Sequence, residues 1–331
     1  MIKDEKLFDC RWDGSHGIGR FSVELFSRMS DFRRVQVDGK PTDPIDPWRL
    51  GRYLRRVRPV LYFSPGYNVP MWGGCRFALT VYDLNHLFIR EGSSALIRLY
   101  YARILRPALH RAGLIFTSSE FSRQQILEWS GVEDRKLVKI KPGISEAFVP
   151  TGDAFLSRRP YLLYVGSHAP HKNLGRTLKA FALSKLAVSH DFLVTGVPSN
   201  ELQTLVEGLG VADSVRFLGR VPDSTLPPLY RGAVALVFVS LYEGFGMPIV
   251  EGMACGTPVL TSNAASMPEA AGGAALLVDP RNIDEIAHGM RKLSEDEGLR
   301  EELLAKGLKW AARFTWDASA KEVGDALAEI V

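Results

Sequence analysis

From residue 160 onward the chain alternates short, β-rich apolar runs with longer segments whose apolar positions recur three and four apart. The runs are YLLYVGS, DFLVTG, VRFLG, VALVFVS, PVLTS and AALLVD. Strands of that length separated by helical segments predict a parallel sheet with crossover helices. Between the first two lies NLGRTLKAFALSKL, where Leu174, Leu178, Phe181 and Ala182 share one helical face and Asn173 is placed to cap it. The first half repeats the logic less cleanly, through KLFDC, VLYFS, RFALTVYD, LIFTSS and LVKIKPG. Two α/β domains are therefore expected, residues 1–150 and 151–312, with SEAFVPTGDAFLSRRP (145–160) as linker and residues 313–331 as a tail. Ligands of open α/β sheets bind beyond the C-terminal strand ends, so two such sheets facing each other predict a central cleft.

Within the second half, EGFGMPIVEGMACGTPV (243–259) sets two glutamates eight positions apart, with glycines and a proline between them. Pro248 suits the first position of a helix, and Gly256 followed by Pro258 suits its end. A helix over 248–255 places Glu251 on its N-terminal turns and Glu243 in the preceding loop. Free N–H groups and the dipole at such a terminus favour an anion, and the glycines let a ligand approach the backbone. A nucleotide diphosphate fits there, with the two carboxylates accepting hydroxyls on either side. The alternative is a tight turn whose acids only complement the dipole.

At 331 residues, with 46% apolar and 24% charged positions, the composition is that of a globular protein of two domains. Cys10, Cys75 and Cys255 are widely spaced and odd in number, which argues against a disulfide framework or zinc site and for a reducing compartment. The opening MIKDEKLFDCRW lacks a signal-peptide core, and AVALVFVSLY is too short to span a bilayer. A cytoplasmic location is expected. Residues 1–150 carry 24 Lys and Arg against 16 Asp and Glu, whereas residues 151–331 carry 17 against 21. The basic surplus suggests an anionic partner for the first half, a membrane surface or a phosphate-bearing acceptor. In WRLGRYLRRVRP (48–59), Leu50, Leu54 and Val57 form an apolar stripe beside Arg49, Arg52, Arg55, Arg56 and Arg58, a pattern of interfacial helices as well as of ordinary domain helices. Nucleic acid is not expected, since no recognised motif accompanies the charge.

Gly14, Gly17 and Gly19 in DCRWDGSHGIGRFSVELF lie between a strand and an amphipathic helix. The spacing GxxGxG matches neither GxGxxG nor the GxxxGxG of short-chain dehydrogenases, whose YxxxK pair is also missing. The loop is better read as a close backbone approach to a phosphate or sugar, with Gly17 as a donor-binding candidate.

Taken together, GIGRFSVELF, YVGSHAPHKNLGRTLKAF, VRFLGRVPDSTLPPLY and SLYEGFGMPIVEGMACGTPVLTS resemble the retaining glycosyltransferases of family 4, which include bacterial mannosyl- and rhamnosyltransferases. The resemblance covers most of the chain and is most specific over 160–280. It implies the GT-B fold, two Rossmann-like domains whose second holds the donor, and a tail that crosses back to the first. In the family pattern E-x7-E the first acid lies near the donor sugar and the second meets the ribose, roles that fall on Glu243 and Glu251. Phe245, Gly246 and Met247 then offer backbone donors to the sugar, Lys172 binds the departing diphosphate, and the backbone at Val221 reads the base. Two departures stand out. Tyr82 precedes Asp83 where many relatives have histidine, so Asp83 is carried over as catalytic and the histidine's role is unassigned, with His86 nearby. An arginine common near Ser167 or His171 is missing, which leaves His168 or His171 as phosphate contacts. The resemblance implies a nucleotide-sugar donor, GDP-mannose being the first choice, and a polysaccharide or lipid-linked oligosaccharide acceptor. No Asp-x-Asp signature occurs in a suitable loop, so no metal and no cofactor are expected. A sugar-nucleotide epimerase of the same fold and a non-catalytic nucleotide-sugar-binding subunit are the alternatives.

Overall fold

The computed structural model describes residues 5–14, 17–89 and 95–331. The chain divides into two units, Met1–Gly143 together with Thr315–Val331, and Ile144–Phe314. Among the described residues no helix is long and apolar enough to cross a membrane.

The first unit holds strands β1 (Lys6–Phe8), β2 (Phe32–Arg34), β3 (Leu61–Ser64), β4 (Arg76–Thr80), β5 (Leu114–Thr117) and β6 (Leu137–Lys139), all parallel, in the order β2-β1-β3-β4-β5-β6. The edge strand β2 has no counterpart in the sequence-based assignment. It is three residues long and buries only Phe32, so its pattern reads as polar. One face of the sheet packs Phe8, Phe63 and Phe116 against Phe21 and Leu25, and the helix Trp316–Ala328 adds Trp316, Val323 and Leu327 to that core. Neighbouring rings meet edge-on, Phe8 to Phe63 at 5.2 Å and Phe63 to Phe116 at 5.6 Å, a favoured aromatic geometry.

The other face is covered in part by the helix Asp46–Val57. Its stripe is core: Leu50 and Leu54 are buried beside Tyr62 and Leu79, and Val57 packs against them. This corrects the interfacial reading of that stripe, because burying each leucine contributes roughly 1.5–3 kcal/mol that a membrane-facing role would forfeit. The surface of the helix retains Arg52, Arg55 and Arg56, with Ile45 and Trp48 exposed at its start.

The second unit holds β7 (Tyr161–Tyr164), β8 (Asp191–Val194), β9 (Val215–Phe217), β10 (Ala235–Phe238), β11 (Val259–Ser262) and β12 (Leu276–Val278), parallel, in the order β12-β11-β10-β7-β8-β9. Strands β7, β8, β10 and β11 are buried along their whole length, which is why they read as continuous apolar runs. Residues 145–160, read above as linker, pack on this unit. Phe148 meets Tyr230 at 5.9 Å, Phe155 meets Tyr161 at 6.0 Å, and the Arg231 side chain donates to the Asp153 carbonyl. The strand order reverses between β1 and β3 in the first unit and between β7 and β10 in the second. Such switch points open a crevice beyond the C-terminal strand ends.

Candidate active site

At the switch point of the second unit, two loops bring the chemistry together. After β7 the chain runs to a short turn, Pro170–Lys172, and then to the helix Leu174–Ser184; after β10 it runs through Glu243 to the helix Met247–Ala254. Two hydrogen bonds clamp the loops: Leu241 N–H donates to the His171 carbonyl at 2.7 Å, and Asn173 Nδ2 donates to the Val239 carbonyl at 3.0 Å. Asn173 also donates to the Pro280 carbonyl at 2.7 Å, which ties in the turn after β12.

Asn173 is therefore not the helix cap expected from the sequence. Its backbone is left-handed (φ 63°), its side chain caps nothing, and its amide is occupied as a staple. The helix Met247–Ala254 likewise begins at a left-handed residue, Gly246 (φ 109°), with no side-chain cap. Five other helices carry a side-chain cap, from Ser119, Ser199, Asn282, Asp296 and Thr315, whereas Asp46–Val57 has none. Two helices facing one crevice with uncapped N-termini present backbone donors and positive dipole ends to an anion.

Lys172 and Glu243 meet between them. Lys172 Nζ lies 2.7 Å from Oε1 and 2.8 Å from Oε2 of Glu243, and 5.5 Å from the Phe238 ring centroid. The Ser266 hydroxyl, buried at the end of the loop after β11, lies 2.9 Å from the carbonyls of both Glu243 and Phe245 and shares its proton between them. Ser266 was not legible in the sequence, since an isolated serine in SNAASMPE carries no motif. The Phe245 ring packs on Phe314 at 5.6 Å, so this residue offers the crevice its backbone and not its side chain. Glu251, one turn into its helix, is buried and accepts from the Tyr230 hydroxyl at 3.0 Å.

The two histidines separate. His168 Nε2–H donates to the Thr195 carbonyl at 2.8 Å, and the ring sits against Gly196 and edge-on to Phe217. Its Nε2 is thereby committed to the fold. His171 is half-buried beside the ion pair, and its pKa is lowered: burial disfavours the cation and Lys172 adds to this, against the opposing charge of Glu243. Arg176, in the first turn of the helix Leu174–Ser184, donates to Asn173 Oδ1 at 3.1 Å. A cation there is disfavoured by the dipole unless an anion also binds. That mismatch is a sequence signal that the reading above did not use.

Val221 lies in the loop after β9, half-buried against the core. Asp83 and Gly17 belong to the first unit. Asp83 Oδ1 accepts from the Asn85 N–H at 2.9 Å. A Cβ on Gly17 would meet nothing within 4 Å, whereas one on Gly19 would lie 2.5 Å from the Gly14 carbonyl oxygen; Gly19 is needed for packing, and Gly17 leaves an open approach. The Tyr82 side chain is engaged within its own unit. Its hydroxyl donates to the Pro65 carbonyl at 3.1 Å, its ring meets Phe21, and burial pushes the phenol well above its usual range. His86 packs against Tyr67 and Tyr101.

The switch point of the first unit is filled by side chains. Asp9, at the end of β1, accepts from Tyr62 and Asn68, and Arg11 bridges it to the buried Asp46. Burial alone would raise Asp9, but Arg11 and the neutral donors outweigh it and hold the carboxyl low. Trp12 donates to Asn68 and lies where a Cβ on Gly66 would be. Among the described residues, the polar groups at this switch point are thus paired with one another.

Residues 153–310 match the family described as Glycosyl transferases group 1. The chain is 32% identical to the O-antigen chain mannosyltransferase B of Escherichia coli over 354 residues, covering 91% of this chain and 93% of that protein. It is 27% identical to the O-antigen chain mannosyltransferase RfbU of Salmonella typhimurium over 257 residues, 76% of this chain and 69% of that one. In fold it resembles a sucrose-phosphate synthase of Thermosynechococcus elongatus, with a TM-score of 0.78 at 18% identity over 99% of each chain.

Proposed function

The chain belongs to the group 1 glycosyl transferases, and on that premise we propose that it transfers mannose from GDP-mannose, with retention at the anomeric carbon, to a growing O-antigen polysaccharide or its lipid-linked precursor. The fold is GT-B and the activity is glycosyl transfer; the sugar, base, acceptor and stereochemistry are the proposal. The observation that carries it is the Lys172–Glu243 pair between two uncapped helix N-termini, in a chain similar along its length to an O-antigen mannosyltransferase.

In this reading the diphosphate takes the helix N-termini and Lys172, with His171 beside it. The bond from the anomeric carbon to the phosphate oxygen breaks through an oxocarbenium-like transition state. An acceptor hydroxyl attacks on the same face, and its proton passes to the leaving phosphate, so no side-chain base is needed. Glu243 then faces developing positive charge, Glu251 receives the ribose hydroxyls, and Lys172 with the backbone amides stabilises the departing anion. Those fixed positive groups can meet the diphosphate charge without a metal, and no cofactor besides the donor is invoked.

The epimerase and non-catalytic alternatives are separated by products. Incubation with GDP-mannose and a lipid-linked or oligosaccharide acceptor should yield a mannosylated acceptor by mass analysis, with an α-anomeric signal by NMR. An isomerised sugar nucleotide, or none consumed, refutes the proposal. The exposed Arg52, Arg55 and Arg56 beside Ile45 and Trp48 support a second, subsidiary reading: peripheral contact with an anionic membrane on the cytoplasmic side.

A further inference from the structure

The loops after β8 and β9 form a second surface on the same edge of the sheet. Gly196 N–H donates to the Gly219 carbonyl at 2.7 Å, a single antiparallel bridge that joins the ends of two parallel strands. Both glycines have positive φ, 96° and 68°. His168 fills the space that a Cβ on Gly196 would need, while a Cβ on Gly219 would meet nothing within 4 Å. The floor is thus packed under Gly196 and open at Gly219. Val197, 70% exposed, follows the first glycine, and half-buried Val221 lies two residues beyond the second. Between Gly219 and Val221 stands Arg220, exposed and without a hydrogen bond, ion pair or ring contact to any described residue.

This surface lies two strands from the ion pair. Adjacent strands are separated by about 4.8 Å, so the end of β9 is about 10 Å from that of β7, comparable to a ribose and a purine laid end to end. On the opposite side the turn after β12 is engaged: the Pro280 carbonyl accepts from Asn173, and Asn282 caps the helix Ile283–Glu295. Towards β9, by contrast, a nucleoside whose diphosphate sits at Lys172 would meet the open Gly219 and the exposed Arg220.

We propose that Arg220 selects the base of the donor, forking its guanidinium onto the O6 and N7 acceptors of guanine while Val197 and Val221 flank the purine. The proposal rests on the guanine-donor reading above. Guanine is the base that presents two adjacent acceptors on one edge. Adenine sets an amine donor against the guanidinium, and uracil offers a single carbonyl there. One bidentate contact of this kind discriminates on the order of ten- to a hundredfold.

Titration calorimetry of the full chain with GDP, 7-deaza-GDP and UDP tests this in the wild type and in Arg220→Ala, whose exposed side chain leaves folding unaffected. The wild type should bind GDP at least tenfold more tightly than UDP and lose affinity for 7-deaza-GDP, which lacks the N7 acceptor. Arg220→Ala should lose the margin for GDP, leave UDP unchanged and no longer distinguish 7-deaza-GDP. If the wild type prefers GDP but Arg220→Ala keeps that preference, or weakens GDP and UDP equally, the role of Arg220 is refuted and the donor reading stands. If the wild type binds UDP as tightly as GDP, the donor reading itself falls, and this proposal with it.

Discussion

Glu243→Gln keeps the shape of the side chain and removes one charge from a pair that is mostly withdrawn from water, with the glutamate 12% and the lysine 18% exposed. Two unit charges about 4 Å apart attract by about 4 kcal/mol at an effective dielectric near 20. Part of that offsets desolvation, and removing one partner of a fully buried pair costs about 3–5 kcal/mol. For this incompletely buried pair a loss of about 2–3 kcal/mol follows, a fall of about 4–12 °C in the melting transition. Binding should move the other way. In the wild type the diphosphate must draw Lys172 from Glu243 or share it; the variant frees the ammonium and removes a like charge. At about 8 Å and the same dielectric that repulsion is about 2 kcal/mol, so GDP should bind about ten- to thirtyfold more tightly. Turnover should nevertheless fall on the order of 10²-fold, because the carboxylate faces positive charge that develops only in the transition state. Calorimetric titration with GDP and steady-state mannosyl transfer read the two effects separately. Weaker GDP binding together with an almost unchanged kcat would refute both the poise of the pair against the diphosphate and the role of Glu243.

Glu251→Gln retains an acceptor for the Tyr230 hydroxyl but weakens bonds made equally by bound donor and transition state, so steady-state kinetics should show the donor KM rising about tenfold with kcat little changed. His171 has a lowered pKa in the fold, so the unfolded chain takes up its proton first as pH falls below about 6.5 and stability is lost in that direction. A bound diphosphate favours the cation, so GDP binding just below pH 6.5 should take up a proton, seen as buffer-dependent binding heat that disappears in His171→Asn. Transfer should continue at full rate in excess chelator, and a strict requirement for added magnesium or manganese would show that Lys172 and the helix amides do not suffice. Co-sedimentation with anionic vesicles at low salt should exceed that with neutral ones and fall by tenfold or more when Arg52, Arg55 and Arg56 are all changed to Glu, at about 1 kcal/mol per basic residue.

Local pattern determined much of this protein. Among the described residues eleven of the twelve strands were legible as β-rich runs, several of them buried along their whole length and continuously apolar, and β2 escaped because only Phe32 turns inward. The proline and glycines around Glu243 and Glu251 specify a helix start by backbone geometry alone, and the helix Met247–Ala254 begins within one residue of that reading. What sequence could not carry is which group each polar side chain meets. Asn173 has the chemistry of a cap but serves as a staple, because Val239 and Pro280, far away in the chain, present carbonyls to it. His168 and His171 are indistinguishable as letters; the Thr195 carbonyl occupies one and leaves the other beside the ion pair. The stripe of Leu50 and Leu54 satisfies an interfacial pattern and a core pattern equally, and the sheet beneath it decided for the core. Periodicity records which side of an element is apolar, a property of neighbours in sequence; only tertiary structure, which joins residues 71 positions apart as Lys172 and Glu243 are joined, decides what covers that side and which charges face each other.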